Sequence, residues 1–363
     1  LLGKASVGGP IIRDFLKATA SFVGENRDGW LTNLTTGETL EGRELYSGRA
    51  AVDVEPLEWL TLSVTGDLSH QEDDGPQPRY VRPAVGNFVS DSAASPLFRP
   101  YDTIIGSIED QFAIVLDPIR DRVLAEIAGG RASTDPREVY TDFPPHTEIE
   151  SEGVSATVTA SLGPVDAKLI GGWRSSERKH NFDADGSDQP LIHMESFDDR
   201  GEQTSLELHF STEGELPFGL GRGRGLAGAY FYDEKAHQFI DIALLTLAPN
   251  ELAPLAALIP PDVPLLQNRG LFTLNYDADL DVRSYAGFGE GEWDVFEWLT
   301  LRAGGRYTID EKTAVLASLT PIVTDGCMPT RHEETFSAFT GKLGADVPID
   351  DDRMVYATFS QGF

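Results

Sequence analysis

Cysteine is nearly missing from this chain: Cys327 is the single one in 363 residues, so no internal disulfide is possible. Avoidance of thiols fits an oxidising compartment. Positive charge is scarce as well. Lys and Arg number 29 against 59 Asp and Glu, a net charge of −30, which argues against nucleic acid or an anionic surface as partner. No apolar run approaches the ~18 residues that a membrane-spanning helix needs. The longest candidate, Ile242 to Ile259, is broken by Pro249, Asn250, Glu251 and Pro254. The seven histidines are dispersed, without metal-ligand spacing such as H-E-x-x-H. No nucleophile has a base near it in the sequence, so enzymatic chemistry is not expected.

What the chain does have is alternation. The phrase Glu58-Trp59-Leu60-Thr61-Leu62 returns as Glu297-Trp298-Leu299-Thr300-Leu301, and each copy opens a run of period two. After the first, Leu60, Leu62, Val64, Gly66 and Leu68 take one face. After the second, Leu299, Leu301, Ala303, Gly305, Tyr307 and Ile309 do the same. A period of two is an extended strand, and about ten residues is the length a tilted strand needs to cross a bilayer core. The Trp opening each run sits where an interfacial aromatic girdle places it. Similar alternation marks Leu16 to Phe22, Gly48 to Val54, Val154 to Leu162, Leu206 to Phe210 and Phe339 to Val347, and less cleanly 167–173, 226–233, 285–293 and 354–363. The apolar faces carry no charge, whereas Lys17, Arg49, Asp53, Asp67, Arg302 and Arg306 fall on the opposite faces. A lipid-facing Lys or Arg at mid-bilayer costs about 2–4 kcal/mol, so this segregation is expected of a barrel.

Connections alternate too. Short ones are expected near 10–14, 55–58, 163–165, 216–219, 294–297 and 348–352, and long polar insertions at roughly 25–43, 71–149, 175–201, 234–280 and 311–334. A water-soluble sandwich also alternates, but does not collect its long connections at one end. The fold class read from these residues is all-β: an antiparallel transmembrane β-barrel with short turns at one rim and long loops at the other. The insertion 71–149 is expected to hold a helix, from the spacing within Phe112–Leu116 and Ile119–Ile127 and the stop at Gly129-Gly130. A similar fragment is expected near Asn250 to Leu258. Because the first strand pattern begins almost at Leu1 and the last is still running at Phe363, the chain is expected to be a piece of a longer one.

Candidate sites are few. Asp183-Ala184-Asp185-Gly186-Ser187-Asp188 clusters carboxylates around a turn glycine, so calcium held by Asp183, Asp185 and Asp188 is conceivable, although the closing Glu of an EF-hand loop is missing. Asp277-Ala278-Asp279-Leu280-Asp281 is similar in kind. For both, a solvated loop is the simpler reading. Gly219 to Gly225 superficially looks like a phosphate loop but does not sit between a strand and a helix; a flexible turn is expected. Trp59, Trp173, Trp293 and Trp298 fit a girdle, whereas Trp30, Tyr80, Phe88, Phe98, Tyr101, Tyr140 and Phe143 fall in long loops, where they can stack on an aromatic or chelate ligand. Arg79, Arg82 and Arg99 lie in the same loop as Tyr80, Phe98 and Tyr101 and can attract an anion. The alternative is that they pack and solvate that loop.

Several phrases together resemble the TonB-dependent outer-membrane receptors of Gram-negative bacteria. They are Val7-Gly8-Gly9-Pro10-Ile11-Ile12-Arg13-Asp14, Asn26-Arg27-Asp28-Gly29-Trp30 with Asn33-Leu34-Thr35-Thr36-Gly37, Gly228 to Lys235, Arg306 to Lys312, Phe339 to Gly344 and the closing Val355 to Phe363. The resemblance is to the group that includes ferric-siderophore receptors. It implies about half of a 22-stranded barrel around a plugged lumen, with the plug domain outside residues 1–363. It further implies import of a scarce nutrient, most readily a ferric siderophore, across the outer membrane. TonB and its inner-membrane energising complex would be the partners through that plug, with outer-membrane lipid around the barrel and no resident cofactor. A passive porin without plug or energy coupling is the alternative. An outer-membrane enzyme or adhesin would need a clustered nucleophile and base or a binding motif at a loop tip, and neither is found.

Overall fold

A computed structural model describes residues 1–75, 117, 118, 120–122, 125, 131, 133–215, 221–244, 246, 272–318, 329–350 and 352–362. Twelve strands form one antiparallel sheet in which each pairs with the next: β1 (Leu2–Ile12), β2 (Leu16–Arg27), β5 (Arg43–Leu57), β6 (Leu60–Asp73), β8 (His146–Ser161), β9 (Val165–Asp183), β10 (Ile192–Glu215), β11 (Arg222–Leu244), β12 (Phe272–Phe296), β13 (Leu299–Ser318), β14 (Thr330–Asp350) and β15 (Arg353–Gln361). Three short strands, β3 (Leu31–Asn33), β4 (Thr39–Leu40) and β7 (Glu138–Val139), form a second sheet within the long connections. The large sheet is an open part of a barrel, since β1 and β15 each pair on one side alone.

The register follows from the alternation. Directly paired residues lie on the same face, and one such row runs Leu16, Val54, Leu62, Val158, Leu169, Leu208, Ala229, Gly287, Tyr307, Phe339 across ten strands without a charge. The next row, on the other face, includes Lys17, Asp53, Ser63, Thr157, Glu207 and Tyr230. Slipping any strand by one residue would exchange the two faces. Large apolar side chains of the uncharged face stay exposed, among them Phe22, Leu68, Leu206, Phe210, Tyr307, Phe339 and Leu343. A soluble monomer rarely leaves a continuous apolar surface of this extent; lipid is the solvent it fits. Among the described residues no helix is long and apolar enough to cross a membrane, which leaves crossing by strands open.

Short turns at 13–15, 58–59, 162–164 and 297–298 gather at one rim, with Trp59 and Trp298 inside two of them and Trp298 stacked on Phe296 at 5.2 Å. At the other rim the expected loops need correction. β9 and β10 leave 184–191 between them instead of 175–201; β11 and β12 leave 245–271 instead of 234–280; β13 and β14 leave 319–329 instead of 311–334. The longest connection shrinks from 71–149 to 74–145. Beyond the bilayer both faces are wet, so a strand there needs only its backbone ladder, and charges on both faces erase the alternation that marks it inside the membrane. Helical backbone is present at 117, 118, 120–122 and 125, within the helix expected over 119–127 and just before it. The expected fragments at Phe112–Leu116 and Asn250–Leu258 lie outside the described residues, and so does most of the Gly219–Gly225 turn's approach, 216–220; Arg222 to Gly225 already belong to β11.

Candidate functional site

The long-connection rim is knotted by buried polar side chains drawn from three separate connections. Leu31, Leu40 and Val139 form a small apolar core under β3, β4 and β7. Beside it Asn33, with no exposed surface, donates through Nδ2 to the Thr141 carbonyl at 3.0 Å, and its Oδ1 accepts the Thr35 N–H at 2.9 Å. The Thr141 hydroxyl donates onward to Asp183 Oδ2 at 2.8 Å. Asp183 Oδ1 accepts the backbone N–H groups of Asp185 and Gly186 at 3.1 and 2.9 Å; Gly186 takes a φ of 68°, which glycine adopts without strain. Asp185 in turn accepts from Ser187 N–H at 3.1 Å and from Ile192 N–H at 2.8 Å.

Next to this pair, His193 is nearly buried. Its Nε2 lies 3.1 Å from both Asp142 oxygens, its Nδ1 lies 3.1 Å from Thr246 Oγ1, and its ring stacks on Phe143 at 4.6 Å. Burial, and then the neighbouring Asp185 charge, push the Asp183 carboxyl up to about 9. Burial also raises Asp185. One proton between the two carboxyls is the arrangement that a dry site with adjacent like charges favours. Asp188 behaves otherwise: burial raises it, but hydrogen bonds from the Arg131 backbone and guanidinium outweigh this and leave it below the usual carboxylate range. Arg131 also lies over the Tyr140 ring at 4.6 Å.

The inner face of the large sheet carries the second set of polar groups. Arg224 meets Glu292 at 3.0 Å, Arg302 lies 3.5 Å from Glu292 and also pairs with Asp346, Lys342 meets Glu290 at 2.7 Å, and Arg174 grips Asp67 through Nη2 at 2.9 and 3.0 Å. Arg306 lies over Tyr230 at 5.2 Å and over Phe288 at 5.7 Å. A cavity of about 320 Å³ opens on this face between Phe288, Glu290, Arg306, Thr340 and Lys342. The surface is a charged, aromatic-studded wall suited to a polar lumen.

Of the residues expected at a ligand site, Arg79, Tyr80, Arg82, Phe98, Arg99 and Tyr101 lie outside the described residues. Asp183 and Asp185 come together as expected of the acidic phrase, with their oxygens taken by protein donors, while Asp188 engages Arg131. Asp277 and Asp279 are strand residues facing His237. Asn33, Thr141, Asp142 and His193 were not singled out by sequence reading; they come from distant connections and leave no local spacing to detect.

A family model described as "TonB dependent receptor-like, beta-barrel" matches residues 27–363. No curated protein matches the sequence. Among solved structures, the chain is similar to the ferric yersiniabactin uptake receptor FyuA from Yersinia pestis, at 13% identity and a TM-score of 0.67, covering 98% of this chain and 44% of that one. It is similar to the ferric-catecholate import receptor Fiu from E. coli K12 at 12% identity and a TM-score of 0.62, covering 99% and 52%. For the ferric citrate transporter FecA the figures are 11%, 0.62, 98% and 40%. Identities this low carry the fold alone, and the chain spans about half the length of these receptors or less. With the family model covering all of the chain beyond β1 and β2, the chain belongs to the TonB-dependent receptor-like β-barrel family.

Proposed function

We propose that the complete protein imports a ferric siderophore through the outer membrane, energised by TonB acting on a plug held in the lumen. The family itself is one of outer-membrane receptors, not enzymes. The observation that carries the finer reading is the likeness over 98–99% of the chain to barrels described as ferric-siderophore and ferric-citrate receptors. The inner wall supports it: Arg306 over Tyr230 and Phe288 beside paired Arg and Lys gives a surface that accepts polar, aromatic or anionic partners. Arg79, Tyr80, Arg82, Phe98, Arg99 and Tyr101 of the longest connection are the residues we assign to ligand capture.

The test is uptake of radiolabelled iron by cells that carry the whole gene and lack other iron receptors, supplied with a panel of ferric siderophores. Uptake of one chelate that vanishes in a TonB-deficient host is the expected result. Uptake that persists without TonB and follows solute size would mean a passive pore. No uptake of any chelate, with uptake of haem, a vitamin or a glycan instead, would replace the ligand and keep the receptor.

A further inference from the structure

On the outward face of the sheet, charged residues stand above the apolar belt. Leu206, Phe231 and Tyr285 form one uncharged row across β10, β11 and β12. Above it, on the same face, the paired positions read Asp233 with Arg283, Lys235 with Asp281, and His237 with Asp279. His237 is six residues beyond Phe231, about 20 Å along the strand and above the apolar belt.

We propose that His237, Asp277 and Asp279 form a divalent transition-metal site, with Zn²⁺ as its preferred ion, on the outward face of β11 and β12 above the apolar belt. His237 Nδ1 lies 2.9 Å from Asp279 Oδ1 and 3.6 Å from Asp277 Oδ1, and all three ligand atoms fall within 4.8 Å of one another. The geometry is set by the ladder. Asp277 and Asp279 are two apart on β12 and so share a face, and His237 is directly opposite Asp279 on β11. The β11–β12 register runs without a bulge from Arg222 with Asp294 to Leu244 with Phe272, which holds the ligands on rigid backbone.

A neutral imidazole offers a lone pair but no charge to offset two carboxylates, so the trio lacks a balancing cation whenever His237 is unprotonated. Lys235, two residues from His237 on the same face, stands opposite Asp281, and Arg200, opposite His237 on β10, is engaged by Glu177 at 2.9 Å. One nitrogen and two oxygen ligands with further positions left to water suit Zn²⁺, whereas Ca²⁺ takes oxygen alone and in greater number. The same composition occurs at His70, Glu148 and Glu150, where His70 Nδ1 lies 3.4 Å from Glu150. There Lys179, held by Glu177 at 3.2 Å, also stands 4.0 Å from Glu148 and offsets part of its charge, so this second cluster should bind more weakly.

The test is calorimetric titration of Zn²⁺ into the full-length protein purified in detergent, with correct folding of every variant checked by its gel shift on heating. The wild type should show one saturable event. His237→Ala should abolish it and Asp279→Asn should weaken it at least tenfold, while His70→Ala leaves it unchanged. Co²⁺ in place of Zn²⁺ should give visible absorption bands that His237→Ala removes. The proposal is overturned by three outcomes: no saturable heat, a tightest event that His237→Ala leaves unchanged, or an equal response to Ca²⁺ that His237→Ala does not alter.

Discussion

Replacing Asp183 by Asn should tighten the loop knot at neutral and alkaline pH and remove most of its pH dependence. The carboxyl is buried beside Asp185 and is held up to about 9 from an ordinary 3.8. When the loop opens, that carboxyl returns to water and ionises. A group whose folded pKa is raised contributes fully below the unfolded value, and the contribution is lost as pH rises toward the folded one. At pH 7 the roughly three units above 3.8, at 1.36 kcal/mol per unit, favour opening by about 4 kcal/mol relative to acid. The amide removes this term and keeps the contacts. Its Oδ1 still accepts the N–H groups of Asp185 and Gly186, and its Nδ2 donates to the Thr141 hydroxyl, whose hydrogen is then free for the Phe143 carbonyl at 3.1 Å. Asp142, Asp185 and His193 stay as they are, so the difference between the two proteins isolates position 183. Hydrogen exchange over 184–191, corrected for the intrinsic pH dependence, is the assay. In the wild type, the Asp183 carboxyl should make opening rise about tenfold per pH unit between 5 and 8; in the variant that share should be gone, leaving only what Asp185 contributes. Equal slopes in the two proteins, or a flat wild type, would refute a shared buried proton.

Three further perturbations probe other parts of the molecule. Leu208→Arg places a cation in the uncharged row facing lipid and should destabilise the barrel by about 2–4 kcal/mol in a denaturant titration in vesicles, whereas Thr157→Arg on the inner face should cost much less. Gly228→Ala brings a Cβ to 2.5 Å from Phe288 Cζ and 2.7 Å from the Leu208 carbonyl, so the same titration should show a loss of about 1–3 kcal/mol from overpacking. Asn33→Ala removes both hydrogen bonds between Asn33 and Thr141 and should loosen the knot by about 1–3 kcal/mol, seen as faster proteolysis within 133–145 with the heat-shifted barrel band unchanged.

The part of each strand inside the membrane is legible because lipid on one side and water on the other force period two: Leu206, Leu208 and Phe210 against Glu207 and His209 need no structure to be read. The upper half of the same wall is not legible. Lys235 to Ile242 pairs residue by residue with Leu274 to Asp281, yet Lys235, His237 and Asp241 share the run with Phe239 and Ile240, and no face is apolar. Backbone pairing decides there, and it leaves no trace in composition. The knot is hidden for a different reason. Asn33 and Thr141 are 108 residues apart and Thr141 and Asp183 are 42 apart, so closure rests on a few side-chain bonds and the short β3–β7 pairing between distant connections rather than on any repeated pattern. The phrase Asp183-Ala184-Asp185-Gly186 did mark the place, because short acidic side chains that cap their own turn look in sequence like ligands for a cation.

The unequal strands give the rim two mechanical characters. β2, β5 and β6 have 12 to 15 residues, whereas β10 to β14 have 20 to 25. With about 10 residues needed to cross, the tallest strand stands roughly 40 Å above the hydrocarbon, tilt included. Where the strands are short, the β3–β4–β7 sheet and the side-chain knot take their place. The tall side is a parapet whose ladder runs unbroken into the membrane, so a load applied at its top is transmitted to the base as by a cantilever. The low side is closed by a clasp whose side-chain bonds are separate from the backbone bonds of the large sheet. The mouth is thus stiff along one wall and laced by separate bonds along the other.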